Sequence, residues 1–253
     1  MKIIGLTGGI GTGKSTVCEL LIKLDPNKKV RKIDLDKIAH QISQIGEKGY
    51  QAIVKEFGKE DILLPNKEIN RKKLGEIIFQ DPQKKRKLEK ITHPKIIFQM
   101  IWELIIACLN GCEVVVVEVP LLFEAKMEKI FHQTIVVYSE EETQVERLIK
   151  NRGMTEKEAR DRIKSQMSLK EKCKRADWII DNSGNFDEMK KNCLEYWKIN
   201  ITKEKTNQTK QQLKKHKKII PPDVFINRFI LITILILLLF LIFKFLKFIF
   251  SFF

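Results

Sequence analysis

The sequence predicts an α/β fold, a parallel sheet of about five strands flanked by helices. Three observations carry that expectation. The run Lys2-Ile3-Ile4-Gly5-Leu6 opens the chain and leads directly into a glycine-rich loop. The four valines Val114 to Val117 follow one another without polar alternation, the pattern of a strand covered on both faces. Elsewhere short apolar runs alternate with helical patterns, as in a sheet built from βαβ units. The 253 residues suffice for one sizeable core, and 43% hydrophobic content with only 7 prolines excludes a disordered chain.

The elements read in order as follows. Lys2–Leu6 is the first strand, and a helix is expected from Lys14. Val30–Asp34 is a second strand ending in an acid, and helices are expected near 48–57, 70–79 and 82–110, punctuated by Gly58 and Pro65. Glu113–Val119 is the clearest buried strand, Thr134–Tyr138 a fourth and Asp177–Asp181 the last, with Asn182-Ser183-Gly184 turning after it. Ser139-Glu140-Glu141-Glu142 and Thr155-Glu156-Lys157-Glu158 each carry the spacing of a capping box at a helix start. In such a sheet ligands sit at the carboxyl ends of the strands. That directs attention to the first loop, Asp34 and Asp36, Glu118 and Pro120, and Ser139.

Five cysteines, an odd number without a CxxC pair, argue against a disulfide scaffold or structural zinc and for reduced thiols in a cytosol-facing body. The net charge of +15 is uneven: residues 201–253 hold ten Lys or Arg against two acids. Phe229 to Phe243 is a run of 15 residues whose only polar side chain is Thr233. Extended through residue 250, with Lys244 and Lys247 snorkelling, it is long enough to cross a hydrocarbon core of about 30 Å. A soluble helix would keep one polar face. Residues 229–250 are therefore expected to form a membrane anchor, residues 201–228 a basic linker and residues 1–200 the folded body. No leader is expected before a chain that opens on a folded motif, and the positive-inside rule keeps the body cytosolic. KKHKK at 214–218 would touch anionic head groups or remain a solvated linker. A membrane accounts for the basic tail, so no nucleic-acid partner is expected.

Gly8-Gly9-Ile10-Gly11-Thr12-Gly13-Lys14-Ser15 is G-x-x-x-x-G-K-S in the strand-then-helix setting this motif requires, with Thr16 next in the helix. Its glycines let successive N–H groups point inward at phosphate oxygens, and the helix adds its positive end. Lys14 is placed to reach β- and γ-phosphates and Ser15 to offer a hydroxyl to Mg²⁺. A GTPase reading fails: Asn66-Lys67-Glu68-Ile69 lacks the final Asp of N-K-x-D, and no D-x-x-G stands at a strand end. A small-molecule kinase needs a carboxylate near the acceptor hydroxyl and arginines to neutralise the transferring phosphoryl. Asp36 is placed for the first role, although helix capping explains Asp34 and Asp36 equally well. Arg147 and Arg152 are placed to close over a triphosphate, with Arg160 and Arg162 on the next helix.

Taken together, these residues resemble the dephospho-CoA kinase family. The resemblance runs through Leu6 to Ser15, Ile33-Asp34-Leu35-Asp36-Lys37-Ile38-Ala39-His40, Arg71, Leu74, Ile78-Phe79 and His93-Pro94. It continues through Val119-Pro120-Leu121-Leu122-Phe123-Glu124, Arg147 to Arg152, Arg162-Ile163, Gln166-Met167, Ala176-Asp177 and Ile180 to Gly184, so that it covers about residues 1–197. It implies a P-loop NTPase fold and ATP-dependent phosphorylation of the ribose 3′-hydroxyl of dephospho-CoA. Gly8, Gly9, Ile10, Gly11, Thr12, Gly13, Lys14, Ser15 and Thr16 then hold ATP, and Ser15 holds Mg²⁺. Asp36 resembles the catalytic base, with Lys14 and Arg147 acting on the phosphates and Asn182 near adenine. A helical insertion at about 45–110, with Arg71 and His93, takes the acceptor, and a lid spans about 147–175. His93 before Pro94 has a plainer reading as a helix cap. Leu35 departs from the small residue usual between the two acids, and the tail lies outside the family pattern. A nucleoside or nucleotide kinase of the same fold, and a non-enzymatic P-loop switch, are the alternatives.

Overall fold

A computed structural model describes residues 1–24 and 29–202; the expected linker and anchor lie outside the described residues, apart from residues 201 and 202. The strands are β1 (Lys2–Gly8), β2 (Val30–Asp34), β3 (Val114–Glu118), β4 (Gln133–Tyr138) and β5 (Trp178–Asp181). The helices are α1 (Lys14–Lys23), α2 (Leu35–Gln41), α3 (Lys48–Phe57), α4 (Arg71–Gln80), α5 (Pro82–Leu109), α6 (Glu141–Arg152), α7 (Glu156–Lys164), α8 (Leu169–Arg175) and α9 (Phe186–Trp197).

All strand pairs are parallel, in the order β2-β3-β1-β4-β5. β2 and β3 lie to one side of β1 and β4 and β5 to the other, so the chain changes direction around β1. Its carboxyl end is where such a sheet opens a ligand crevice. Register places Asp34 beside Glu118, and Leu6 beside both Glu118 and Ile135. The acidic ends of β2 and β3 therefore meet next to the glycine-rich loop.

The side-chain period of two divides the core. Ile4, Leu6, Val116, Ile135, Val137 and Ile180 pack on one face against Val17, Leu21, Tyr196 and Trp197 of α1 and α9. Ile3, Ile33, Val115, Val117 and Val136 pack on the other with Met100, Leu122, Phe123 and Phe131. All five residues of β3 are buried, as an unalternated valine run requires. Cys18 and Cys193 belong to the first face, where burial pushes both thiols up to about 12. Two satellite clusters lie outside the sheet. Ile53, Phe57, Ile62, Ile69 and Leu74 knit α3 to α4 and the segment between them, and Val145, Leu148 and Ala159 join α6 to α7.

Two capping expectations part company. Thr155 and Glu158 form the expected box at α7. At α6 the cap is Glu140, with no side-chain cap bond. Ser139 is drawn instead toward the end of β5, donating to the Asn182 carbonyl and accepting from Arg147. His93 is not a cap either: it lies inside the 28-residue α5, with Pro94 in the helix interior. By length and composition α5 would suit a membrane span, but it packs on α2, α3, α4 and β2 as a helix of the body.

Candidate active site

The glycine-rich loop starts at the end of β1. Gly13 adopts φ 82, and a Cβ there would run into Asn182 Nδ2, so only glycine suits the position. Thr12 is fully buried and donates from Oγ1 to the Gly9 carbonyl at 3.0 Å, closing the loop on itself. Asn182, in the turn after β5, donates from Nδ2 to the Thr12 carbonyl at 2.8 Å. Its side-chain amide is therefore engaged by the loop, while the residue also lines the crevice.

The crevice has a volume of about 600 Å³ and brings Lys14, Ser15, Asp36, Glu118, Arg147 and Arg152 together. Ile10, Gly11, Gly13, Thr16 and Asn182 also line it; Gly8, Gly9 and Thr12 do not, and Gly9 faces a neighbouring cavity of about 400 Å³ instead. Lys14 Nζ donates to the Gly9 carbonyl at 2.7 Å. Burial lowers its pKa to about 8, opposed by Glu118 and assisted by Lys172. An amine poised there gains most from an incoming polyanion.

Ser15 Oγ donates to Glu118 Oε1 at 2.8 Å, and Glu118 Oε2 lies 2.9 Å from Lys32 Nζ. The expected magnesium ligand thus already shares a hydrogen bond with a buried carboxylate. Hard oxygens from a hydroxyl and a carboxylate, beside a cavity sized for phosphates, fit Mg²⁺. Glu118 was legible only as a residue at the carboxyl end of a strand. Register with Asp34 and Leu6, not any local motif, brings it to Ser15.

Asp34 and Asp36 divide the roles between which their spacing left a choice. Asp34 is the cap of α2, accepting from the Lys37 amide at 3.1 Å. Asp36 is in the first turn of α2 and faces the crevice. Partial desolvation, then the charge of Asp34, raises its pKa, while Lys14 pulls the other way. Asp36 also borders a second, apolar groove of about 160 Å³, with Leu35, Ala39, His93, Ile96, Ile97, Pro120, Leu121 and Met127 on its walls. Asp36 and Pro120 therefore stand where the two cavities adjoin.

Arg147 donates to Ser139 Oγ and to the Asn182 carbonyl, both at 2.9 Å, so it braces the end of β4 to the end of β5 while lining the crevice. Gln166, between α7 and α8, accepts from the Ile10 amide at 3.0 Å. Arg71 is not brought into the crevice. It donates to Ser43 Oγ at 2.7 Å and to the His40 carbonyl, beside a separate pocket of about 260 Å³. Sequence reasoning did not find a role for Glu118, Glu124 or Lys172. Glu124 was visible within Val119–Glu124, but Lys172 stands between Lys170 and Lys174 in a run that carries no motif.

The model of the dephospho-CoA kinase family matches residues 2–188. A dephospho-CoA kinase of Oceanobacillus iheyensis is 43% identical over 200 residues, 78% of this chain and 98% of the relative. One from Oryza sativa subsp. japonica is 43% identical over 190 residues, covering 75% of this chain and 80% of the relative. Among solved structures, dephospho-CoA kinase from Campylobacter jejuni aligns over 80% of this chain and all of its own, with TM-score 0.57 and 30% identity. TT1252 from Thermus thermophilus aligns over 79% of this chain and 97% of its own, with TM-score 0.66 and 30% identity. With its phosphate-binding loop, its Asp36 and its parallel sheet in place, the chain belongs to the dephospho-CoA kinase family.

Proposed function

We propose that the chain transfers the γ-phosphoryl group of ATP to the ribose 3′-hydroxyl of dephospho-CoA, giving coenzyme A and ADP. The observation that carries this reading is the position of Asp36 on the border between a cationic crevice and an apolar groove. A nucleotide held in the crevice and an acceptor held in the groove would meet at that carboxylate.

The loop amides and Lys14 bind the phosphates, whose oxygens replace the Gly9 carbonyl as the partner of Lys14. Arg147 and Arg152 neutralise charge that spreads over the phosphoryl during transfer. Asp36 accepts the proton of the attacking hydroxyl and orients its oxygen in line with the bond that breaks. Ser15 and Glu118 are the residues that would hold Mg²⁺, which would supply positive charge to the phosphates. His93 and the apolar groove walls receive the organic part of the acceptor, so residues 45–110 serve as the acceptor-side insertion. Residues 147–175, with Arg147 and Gln166, serve as the lid over the nucleotide. Arg71 acts at the edge of that insertion, holding Ser43 and the His40 carbonyl.

Residues 229–250 anchor the protein to a membrane, with the body on the cytosolic side. The support is the uninterrupted apolar run Phe229 to Phe243 and its basic flank.

The acceptor screen tests the reaction: dephospho-CoA, adenosine and AMP are offered in turn with MgATP. Phosphorylation of dephospho-CoA at the 3′ position supports the reading. Selective phosphorylation of AMP or adenosine overturns it. Membrane fractionation of the full chain and of a chain lacking residues 220–253 tests the anchor. A truncated protein that still sediments with membranes contradicts it.

A further inference from the structure

Lys172 is the only lysine or arginine among the described residues that is buried, and its side chain is fully enclosed. It projects from α8, on the lid side of the sheet, and meets three acceptors on two other segments. Its Nζ lies 2.9 Å from Glu124 Oε1. It donates to the Pro120 carbonyl at 3.2 Å and to the Gly8 carbonyl at 3.4 Å. Three ammonium protons are thus matched to three oxygens. Gly8 is the first residue of the phosphate loop, and Pro120 borders both cavities. Thr7 Oγ1 also donates to the Pro120 carbonyl, at 3.1 Å, so the same oxygen is held from β1 and from α8. Glu124 is held in turn, since its Oε1 accepts from the Met167 amide at 3.2 Å.

A buried ion pair is weak support for stability, because an apolar pair of the same volume generally does as well. The geometry points to another use. We propose that Lys172 is a positioning residue for phosphoryl transfer, tying the root of the nucleotide loop to the Pro120–Glu124 segment so that donor and acceptor keep a common register. The tie does not touch either substrate. It acts through Gly8 on one side and Pro120 on the other, and misplacement of reacting groups by about 1 Å can lower a rate 10²-fold. The role rests on the proposed transfer between the two cavities.

The test compares full-length wild type with Lys172→Met, Glu124→Gln and the double variant, reading kcat, the dissociation constant for MgATP and the thermal midpoint. Lys172→Met is expected to lower kcat at least about tenfold while ATP affinity changes less than about threefold. The double variant removes the carboxylate that the single change strands, so it separates lost folding from lost positioning. The expectation is a folded protein whose kcat stays low. Glu124→Gln keeps an amide oxygen able to accept from Lys172 Nζ beside the two carbonyls, and is expected to keep kcat within about threefold of wild type, with the loss of the counter-charge read in the thermal midpoint. Recovery of kcat in the double variant would overturn the proposal, because Lys172 would then merely neutralise Glu124. A loss in Glu124→Gln equal to that in Lys172→Met would overturn it too. A wild-type chain inert toward dephospho-CoA would instead bring down the transfer reading and this role with it, whereas active wild type with an equally active Lys172→Met removes the role alone.

Discussion

The two cavities that adjoin at Asp36 differ in nearly every physical respect. The crevice is lined by Lys14, Arg147 and Arg152, backbone amides and the Ser15–Glu118 pair. The groove is walled by Leu35, Ile96, Ile97, Leu121 and Met127, with His93 as its one imidazole. The first grips charge by fixed dipoles and cations, and the second offers mainly apolar contact and shape. The lesson is that chemistry and selection are separable here: the crevice should govern kcat and nucleotide affinity, and the groove the KM for the acceptor.

The largest effect should come from the crevice. Lys14→Ala is expected to lower kcat/KM by about 10³-fold, since it removes the charge aimed at the transferring phosphates. Isothermal titration with ATP alongside the rate assay checks it, and a change under tenfold would break the comparison. Asp36→Asn comes next. It should lower kcat by about 10²–10⁴-fold while ATP binding persists, because only proton transfer and hydroxyl orientation are lost. Equal losses in ATP affinity would place Asp36 in nucleotide binding instead.

The pH profile sharpens the same division. Asp36 must be ionised to accept a proton, and its pKa is raised, so the acid limb of kcat/KM should lie above the usual aspartate value. Lys14 must be charged, and its pKa is lowered to about 8, so kcat/KM for ATP in the free enzyme should fall as pH rises through that value. Lys172→Met removes a charge that lowers the Lys14 pKa, and should therefore move the alkaline limb upward.

A smaller effect belongs to the groove. Ile97→Asp should raise the KM for dephospho-CoA about tenfold, as a polar group in an apolar contact does, with the KM for ATP unchanged. Equal changes in both constants would dissolve the distinction between the cavities. The smallest is Arg71→Ala, whose bonds to Ser43 and His40 lie away from the crevice. It should cost about 1–2 kcal/mol of stability, read from denaturant unfolding, with kcat nearly unchanged.

What the sequence disclosed follows the same line. The glycine loop is local: its strand, turn and helix are contiguous, and hydrogen-bonding spacing within Gly8 to Ser15 contains the physics. The five strands were legible because apolar runs and turn residues mark them one at a time. Glu118 and Lys172 were not legible as working residues, because their partners lie 103 and 164 positions away at Ser15 and Gly8. Ser139 illustrates the reverse error. Its spacing to Glu142 is that of a capping box, but Arg147 and the Asn182 carbonyl outcompete the helix for its hydroxyl. Asp34 and Asp36 carry identical chemistry two residues apart, and only the start of α2 decides which caps and which faces the crevice.

The most direct measurement supplies purified full-length protein with MgATP and dephospho-CoA and follows both ADP release and the position of the new phosphate. One phosphate on the ribose 3′-oxygen per ADP released, abolished in Asp36→Asn with ATP still bound, is the result this account predicts. ADP release with no 3′-phosphorylated product, or full activity in Asp36→Asn, would contradict it.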